Sequence, residues 1–368
     1  MRKHDRYVLG SYIATFFAVL FFFTLIVVVI DLADAAGKFA RQWSSVKEAG
    51  YQPWVLLGEY YATMLPFIWM RILPFVVAIA AAFSLARLSK HHELVALVLT
   101  GVSLRRIVAP ILLAGVVVAG CMAVAQAVVA SPASQRHAFL RRVLEKRSPN
   151  RVTKVPHFHD PSGARLAMDA YLPLDRRMES VWVSLWAPEG LMETRWYPEL
   201  AWSSEDAAWL APRGGERIPV DANGAGTRRL PIEPDARAPL EASLALLEVS
   251  LTVTDSLGRS YGEAKALTAA NPQDARLAIA FHQLLATPVS AVVLLLLVLP
   301  FALRVGRRSS SSLPGMSAAL GLGALFFGAT QVCTGLGAGG DLNPVVMAWL
   351  PTVLFASLGL ALFASLDG

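Results

Sequence analysis

Long apolar runs separated by short charged loops fill both ends of the chain, while a polar stretch with period-two alternation occupies the middle. A bilayer core of about 30 Å needs roughly 20 apolar residues in a helix, because every backbone N–H and C=O must find its partner inside the segment. Six runs meet that length: Leu9–Ile30, Met64–Leu85, Ile107–Val129, Leu277–Leu303, Met316–Cys333 and Val345–Phe363. The first also resembles a secretory signal, with Met1-Arg-Lys-His-Asp-Arg6 before it and Ala33-Asp-Ala35 after it. A signal core is about 7–15 residues, shorter than this run, so an uncleaved span is expected. Helical character in the second run extends back to Trp54. From there to Leu85 is about 48 Å of helix, so Trp54, Tyr60 and Tyr61 are expected at the membrane surface. Pro66 and Pro74 each remove a donor and bend this helix. Arg71, a costly charge at that depth, either faces a cavity or a partner helix or snorkels to the headgroups.

Between Ser131 and about Asn271, Pro, Gly and polar residues become frequent. Arg165–Leu172, Val181–Trp186 and Leu244–Val253 alternate apolar and polar positions. Glu179-Ser180 and Pro188-Glu-Gly190 bound the second, and Gly214-Gly215 and Asp221–Gly226 read as turns. Short strands at this spacing predict a β-sandwich or jelly roll. Arg136–Arg147 predicts a basic helix that leads into it. The fold class expected is therefore an α-helical membrane protein of six transmembrane helices with an inserted all-β, jelly-roll-like domain. Its boundaries are 1–130 for spans one to three, 131–271 for the insertion and 272–368 for spans four to six.

Composition agrees with a membrane solvent: hydrophobic residues are 55% and charged residues 16%, against about 25% charged in soluble domains. The net charge of +6 sits beside apolar runs, which argues against nucleic acid as a partner. Arg2, Lys3 and Arg6, then Arg87, Lys90, Arg105 and Arg106, then Arg304, Arg307 and Arg308 all fall on one side of a six-span chain. The positive-inside rule puts both termini in the cytoplasm and the insertion outside. Cys121 and Cys333 lie inside apolar runs and read as buried small hydrophobes.

Catalytic and metal patterns are weak. Gly258-Arg-Ser260-Tyr-Gly262 has the GxSxG spacing, but a nucleophile elbow also needs an acid and a histidine downstream. Asp274 and His282 are the nearby pair, and His282 begins a span, so a turn is favoured over a membrane-anchored serine hydrolase. His157-Phe-His159-Asp160 lacks further ligands and reads as an exposed loop. His92-Glu93 is followed by Ala96 where a zinc-protease helix needs histidine. No catalytic residue, metal site or cofactor of this chain is therefore assigned. GxxxxGK[ST] does not occur, so ATP-driven transport would draw its ATP through a separate subunit.

The segment from Arg87 to Arg106 predicts a short helix. Its apolar positions from Leu94 to Val98 either fill a partner's groove, with Glu93 and basic residues at the rim, or lie on anionic headgroups. At these residues the sequence resembles the LptF/LptG (YjgP/YjgQ) family of lipopolysaccharide export permeases. Asp5-Arg6-Tyr7-Val8, the Pro66 to Pro74 spacing, Glu93-Leu94 and Thr100-Gly-Val-Ser103 carry the resemblance. So do Arg105-Arg-Ile107, Leu299-Pro-Phe-Ala-Leu-Arg304, Gly306-Arg-Arg308, Gly321-Leu-Gly323 and Ala348-Trp-Leu-Pro351. The resemblance implies a paralogous permease partner, a cytoplasmic ABC ATPase dimer, periplasmic jelly-roll bridge proteins, and lipopolysaccharide or a related lipid as cargo, with export of another lipid or of a lipoprotein as the alternative. It implies an inner-membrane location with the β-domain in the periplasm. It makes Glu93, Leu94, Leu97, Gly101 and Arg105 the candidate ATPase contacts. Lys38, Arg41 and Arg71 are the candidate lipid contacts; Asp31 and Asp34 precede the first two.

Overall fold

The computed structural model describes residues 3–48, 52–91, 93–145, 151–153, 158–160, 162–187, 190–220, 226–241, 244, 247, 256–308, 313–340 and 342–365. Its helices are α1 (Lys3–Glu48), α2 (Pro53–Lys90), α3 (Glu93–Leu99), α4 (Leu104–Val128), α5 (Ala130–Glu145), α6 (Tyr261–Ala270), α7 (Ala275–Arg308), α8 (Leu313–Ala338) and α9 (Pro344–Ala364). Six of them, α1, α2, α4, α7, α8 and α9, are long and apolar enough to cross a membrane, and each contains most of one expected run. Among the described residues, nine strands lie between α5 and α6: β1 (Val152–Thr153), β2 (Phe158–His159), β3 (Arg165–Leu172), β4 (Arg177–Ala187), β5 (Gly190–Ser203), β6 (Ala208–Ala211), β7 (Gly215–Pro219), β8 (Leu230–Ile232) and β9 (Ala236–Arg237). The chain is a helical membrane protein with an inserted antiparallel β-domain.

Two compact units result. The helical unit holds residues 1–37, 61–133 and 275–368; the β-unit holds 38–60 and 134–274. The last turns of α1 and the first turns of α2 thus cluster with the β-domain, although the expected boundary of 1–130 groups them with the spans. α1 is 46 residues long, about 69 Å, so it exceeds a bilayer core by roughly twofold.

In the helical unit, α2 and α7 form the centre. Ala78, Ala80, Ala81 and Ala82 of α2 are fully enclosed, as are Leu294, Leu295 and Val298 of α7, with Val8 and Tyr12 of α1 and Ile111 of α4 packed onto the same core. Membrane helices gain little from hiding apolar surface from equally apolar lipid, so close backbone approach and interhelical hydrogen bonds hold them. Both devices are present. Gly359 of α9 sits so near α7 that a Cβ there would lie 3.3 Å from the Leu297 nitrogen, and one at Gly115 of α4 would lie 2.5 Å from a Leu295 methyl. Gln283 of α7 donates to the Thr334 hydroxyl of α8, and the Trp349 indole of α9 donates to His282 Nδ1 of α7 at 3.4 Å. Pro66 and Pro74 lie inside α2 without ending it. Cys121, expected to be buried, is exposed on α4, because the run around it turns only one face inward; Cys333 is half-buried.

In the β-unit, β3, β4 and β5 pair in sequence, and β5 then pairs β6 near one end and β7 near the other. The buried face carries Met168, Val181 and Tyr197 in one cross-strand row and Tyr171, Met178 and Leu200 in the next. These rows are three residues apart along every strand, where a regular pleat would space them by two. Asp169, Ser180 and Pro198 occupy the line at which the pleat slips. Ser180 there adopts a positive φ of 50°, and Pro198 has no N–H to offer the ladder. Burial pushes the Tyr197 hydroxyl above its ordinary pKa, against the pull of the Arg195 guanidinium beside it.

Three expectations for this unit change. Strand β4 runs through Glu179-Ser180 instead of starting after it. Of Leu244–Val253, only Leu244 and Leu247 lie among the described residues, and both are helical. Asp160 is buried, not in an exposed loop: its carboxylate accepts from Ser162 N at 3.0 Å and Glu241 N at 2.9 Å. His92, His157 and residues 221–225 lie outside the described residues, and a bridge between Val220 and Gly226 closes the last stretch.

The helical packing yields a test. Gly359→Val should lower the detergent melting temperature by several degrees, because the neighbouring α7 backbone cannot move aside. Gly120→Val on α4, where no atom lies within 4 Å of the added Cβ, serves as the control. Equal melting of the two variants would refute close α7–α9 approach as a stability determinant.

Candidate coupling and lipid-contact sites

The segment after α2 builds a short isolated helix. Helix α2 stops at Lys90, α3 covers Glu93–Leu99, and Gly101 takes a φ of 81°. Only glycine adopts that left-handed conformation without strain; there the Gly101 N–H bonds the Val98 carbonyl at 2.9 Å, which ends the helix. Gly101 is thus the residue that separates α3 from α4.

The side chains of α3 divide into two faces. Leu94 is 2% exposed and belongs to this chain's own core, and Leu97 is packed half-buried against that core. Leu94, expected to reach a partner's groove, is therefore committed inward. Leu99 is 82% exposed and Val98 37% exposed, so they form the apolar surface available to a partner. The pattern alone did not separate the faces, because five of the seven residues from Glu93 to Leu99 are aliphatic Leu or Val.

Two side-chain hydrogen bonds tie this region to both ends of the chain. The Tyr7 hydroxyl of α1 donates to Glu93 Oε1 at 3.1 Å. Arg105, at the start of α4, donates to the Ala364 carbonyl at 2.6 Å, satisfying one of the carbonyls that a helix end leaves without an internal partner. The start of α1, helix α3, the start of α4 and the end of α9 therefore meet at one end of the helical unit.

The candidate lipid contacts fall on two helices. Lys38 and Arg41 are both exposed, three residues apart on α1, on either side of Phe39. Phe39 is buried and meets the Tyr60 ring edge-on at 5.6 Å. Tyr60 in turn stacks at 4.6 Å on His137 of α5, and Arg136 grips Glu59 with two hydrogen bonds, of 2.5 and 3.0 Å. The aromatic contacts hold this part of α1 in place, so the two cations project from a fixed support. Trp54 packs against Trp43 at 4.6 Å. Arg71 is exposed near the middle of α2, two residues after Trp69, whose indole donates to Thr24 of α1 at 3.2 Å.

The GxSxG spacing resolves into a helix start. Ser260 is the N-cap of α6: its hydroxyl accepts from Glu263 N at 3.3 Å, and Glu263 Oε2 accepts from Ser260 N at 2.8 Å. This reciprocal capping box satisfies two orphan N–H groups, and Gly258 accepts a 2.6 Å bond from Ser134. Among the described residues, no group of three or more His, Cys, Asp and Glu could hold a metal ion. Ser260→Ala should cost about 0.5–2 kcal/mol of stability in the β-unit, read as faster amide exchange in α6. Labelling of Ser260 by a fluorophosphonate probe would refute the capping role as its sole one.

Comparison with curated protein sequences gives no match. The family described as lipopolysaccharide export system permease LptF/LptG matches residues 6–365. That match begins beside Tyr7, runs through the six membrane helices and the inserted sheet, and ends at the turn after α9. A family of transporter permeases, with Ser260 engaged as a helix cap, leaves the hydrolase alternative without support. With nearly all of its length matched, the chain belongs to the LptF/LptG family of lipopolysaccharide export permeases.

Proposed function

We propose that the chain is one of two paralogous permeases in an ATP-driven exporter that lifts lipopolysaccharide from the bacterial inner membrane to a periplasmic bridge. The observation that carries this reading is the family match over residues 6–365 on a six-span frame. ATP is hydrolysed in a separate cytoplasmic ABC ATPase dimer. The basic clusters put both termini and α3 in the cytoplasm, and the β-unit in the periplasm, where it joins jelly-roll bridge proteins.

Roles follow from exposure. Leu99 and Val98 insert into the ATPase groove, with Glu93 and Arg105 at the rim. Leu97 lends its exposed edge, and Gly101 sets the direction of α3. Lys38 and Arg41 are placed to meet lipid phosphate through charge-assisted hydrogen bonds. Asp34, exposed four residues before Lys38, favours a headgroup with some cationic character in addition to phosphate. Arg71 is exposed at a depth where hydrocarbon contact is costly, so it faces the lipid cavity or the second permease. The outward Phe17, Phe21, Phe22 and Ile30 of α1 supply the apolar surface that acyl chains or the second permease cover.

Mild-detergent isolation of the complex should recover a second permease and an ATPase with this chain; recovery of neither would sink the proposal. Leu99→Asp should lower ATPase recovery about tenfold or more, since it removes the burial of a whole leucine, while the second permease stays bound. Mass spectrometry of the co-purified lipid identifies the cargo. A lipid other than lipopolysaccharide would convert the reading to export of that lipid.

A further inference from the structure

Helix α3 is only seven residues long and is separate from both α2, which ends at Lys90, and α4, which begins at Leu104. An element of that size transmits a push only in the directions in which it is braced. Leu94 braces it against the helical core, and Glu93 braces it against α1 through the 3.1 Å bond from Tyr7. The neighbour of each partner is anchored as well: Val8, next to Tyr7, and Leu94, next to Glu93, are each 2% exposed and belong to the same core cluster. The polar link therefore joins two turns that are each already fixed at their base.

Tyr7 itself is 56% exposed. A water-accessible hydrogen bond adds little to folding, so its value lies in position. Its acceptor is a carboxylate, which makes it a stronger and more directional link than a neutral pair. Arg105, at the start of α4, reaches the Ala364 carbonyl of α9. Among the described side-chain hydrogen bonds, Tyr7 to Glu93 is the one that joins α3 to α1. Helix α1 is also the span with the least burial inside this chain, and so the one freest to move against lipid or a second permease.

We infer that Tyr7 is a positioning residue that couples α3 to α1, so that displacement of α3 by a nucleotide-driven partner is delivered to the first membrane helix. This rests on the reading of α3 as the ATPase seat. Coupling is reciprocal in binding terms, so lipid that engages α1 reports back to α3 through the same bond. Glu93 then has a role inside the chain in addition to any contact with the partner.

The test uses the intact complex in proteoliposomes, with and without purified lipopolysaccharide, and measures phosphate release. The parent complex should change its hydrolysis rate when lipopolysaccharide is added; no response, or no ATPase recovered, would sink the reading of α3 itself before Tyr7 is varied. Tyr7→Phe removes one hydroxyl. It should keep ATPase recovery and basal hydrolysis within about twofold, yet reduce the lipopolysaccharide response about three- to tenfold. Glu93→Gln retains an acceptor oxygen and should keep most of the response, whereas Glu93→Ala should lose it and, with rates expressed per ATPase retained in the complex, add no further loss in the Tyr7→Phe background. A Tyr7→Phe complex that responds like the parent overturns the inference. So does one that fails to retain the ATPase, since Tyr7 would then act on docking and not on transmission.

Discussion

In hydrocarbon there is no water to release when two helices meet, so a membrane bundle depends on how closely its backbones approach and on the few polar contacts that bridge them. Helix α7 concentrates both. Gly359 of α9 and Gly115 of α4 bring their backbones against Leu295–Leu297, while Gln283 and His282 form hydrogen bonds with α8 and α9. The enclosed alanines of α2 complete the centre. Around it, α1, α8 and α9 keep most of their apolar surface outward, which is the surface a membrane protein presents to lipid.

The six spans were legible because span length is set by the bilayer and needs no tertiary context. The basic loops were legible for the same reason, since charge cannot be hidden in a run of leucine. What the chain did with each span was harder to see. Cys121 looked buried because its neighbours are apolar, yet on a lipid-facing helix surface apolar neighbours say nothing about enclosure. Leu94 and Leu99 are both aliphatic residues on one short helix, and only the packing distinguishes the inward one from the outward one.

Within the β-unit, alternation revealed β3 and the Val181–Trp186 half of β4, but failed where the pleat slips. Ser180 resembled a strand boundary because a positive φ is turn chemistry, and here it is used inside a strand, opposite a proline that the ladder does not need. The GxSxG spacing misled in the opposite sense. Serine and a carboxylate three residues on form a capping box by local backbone geometry, and the glycines around them gave it the look of an active-site elbow. The link from Tyr7 to Glu93 spans 86 positions in the chain, and no local signal could announce it.

The bond from Ser134 to Gly258 and the one from Glu241 to Asp160 bring the start and the end of the inserted unit together. An insertion whose ends meet closes on itself, so its ordering entropy is borne largely within the graft and not by the host helices. The β-unit also includes residues 38–60, so it is complete only when two pieces separated in the chain by two membrane helices have both been synthesised.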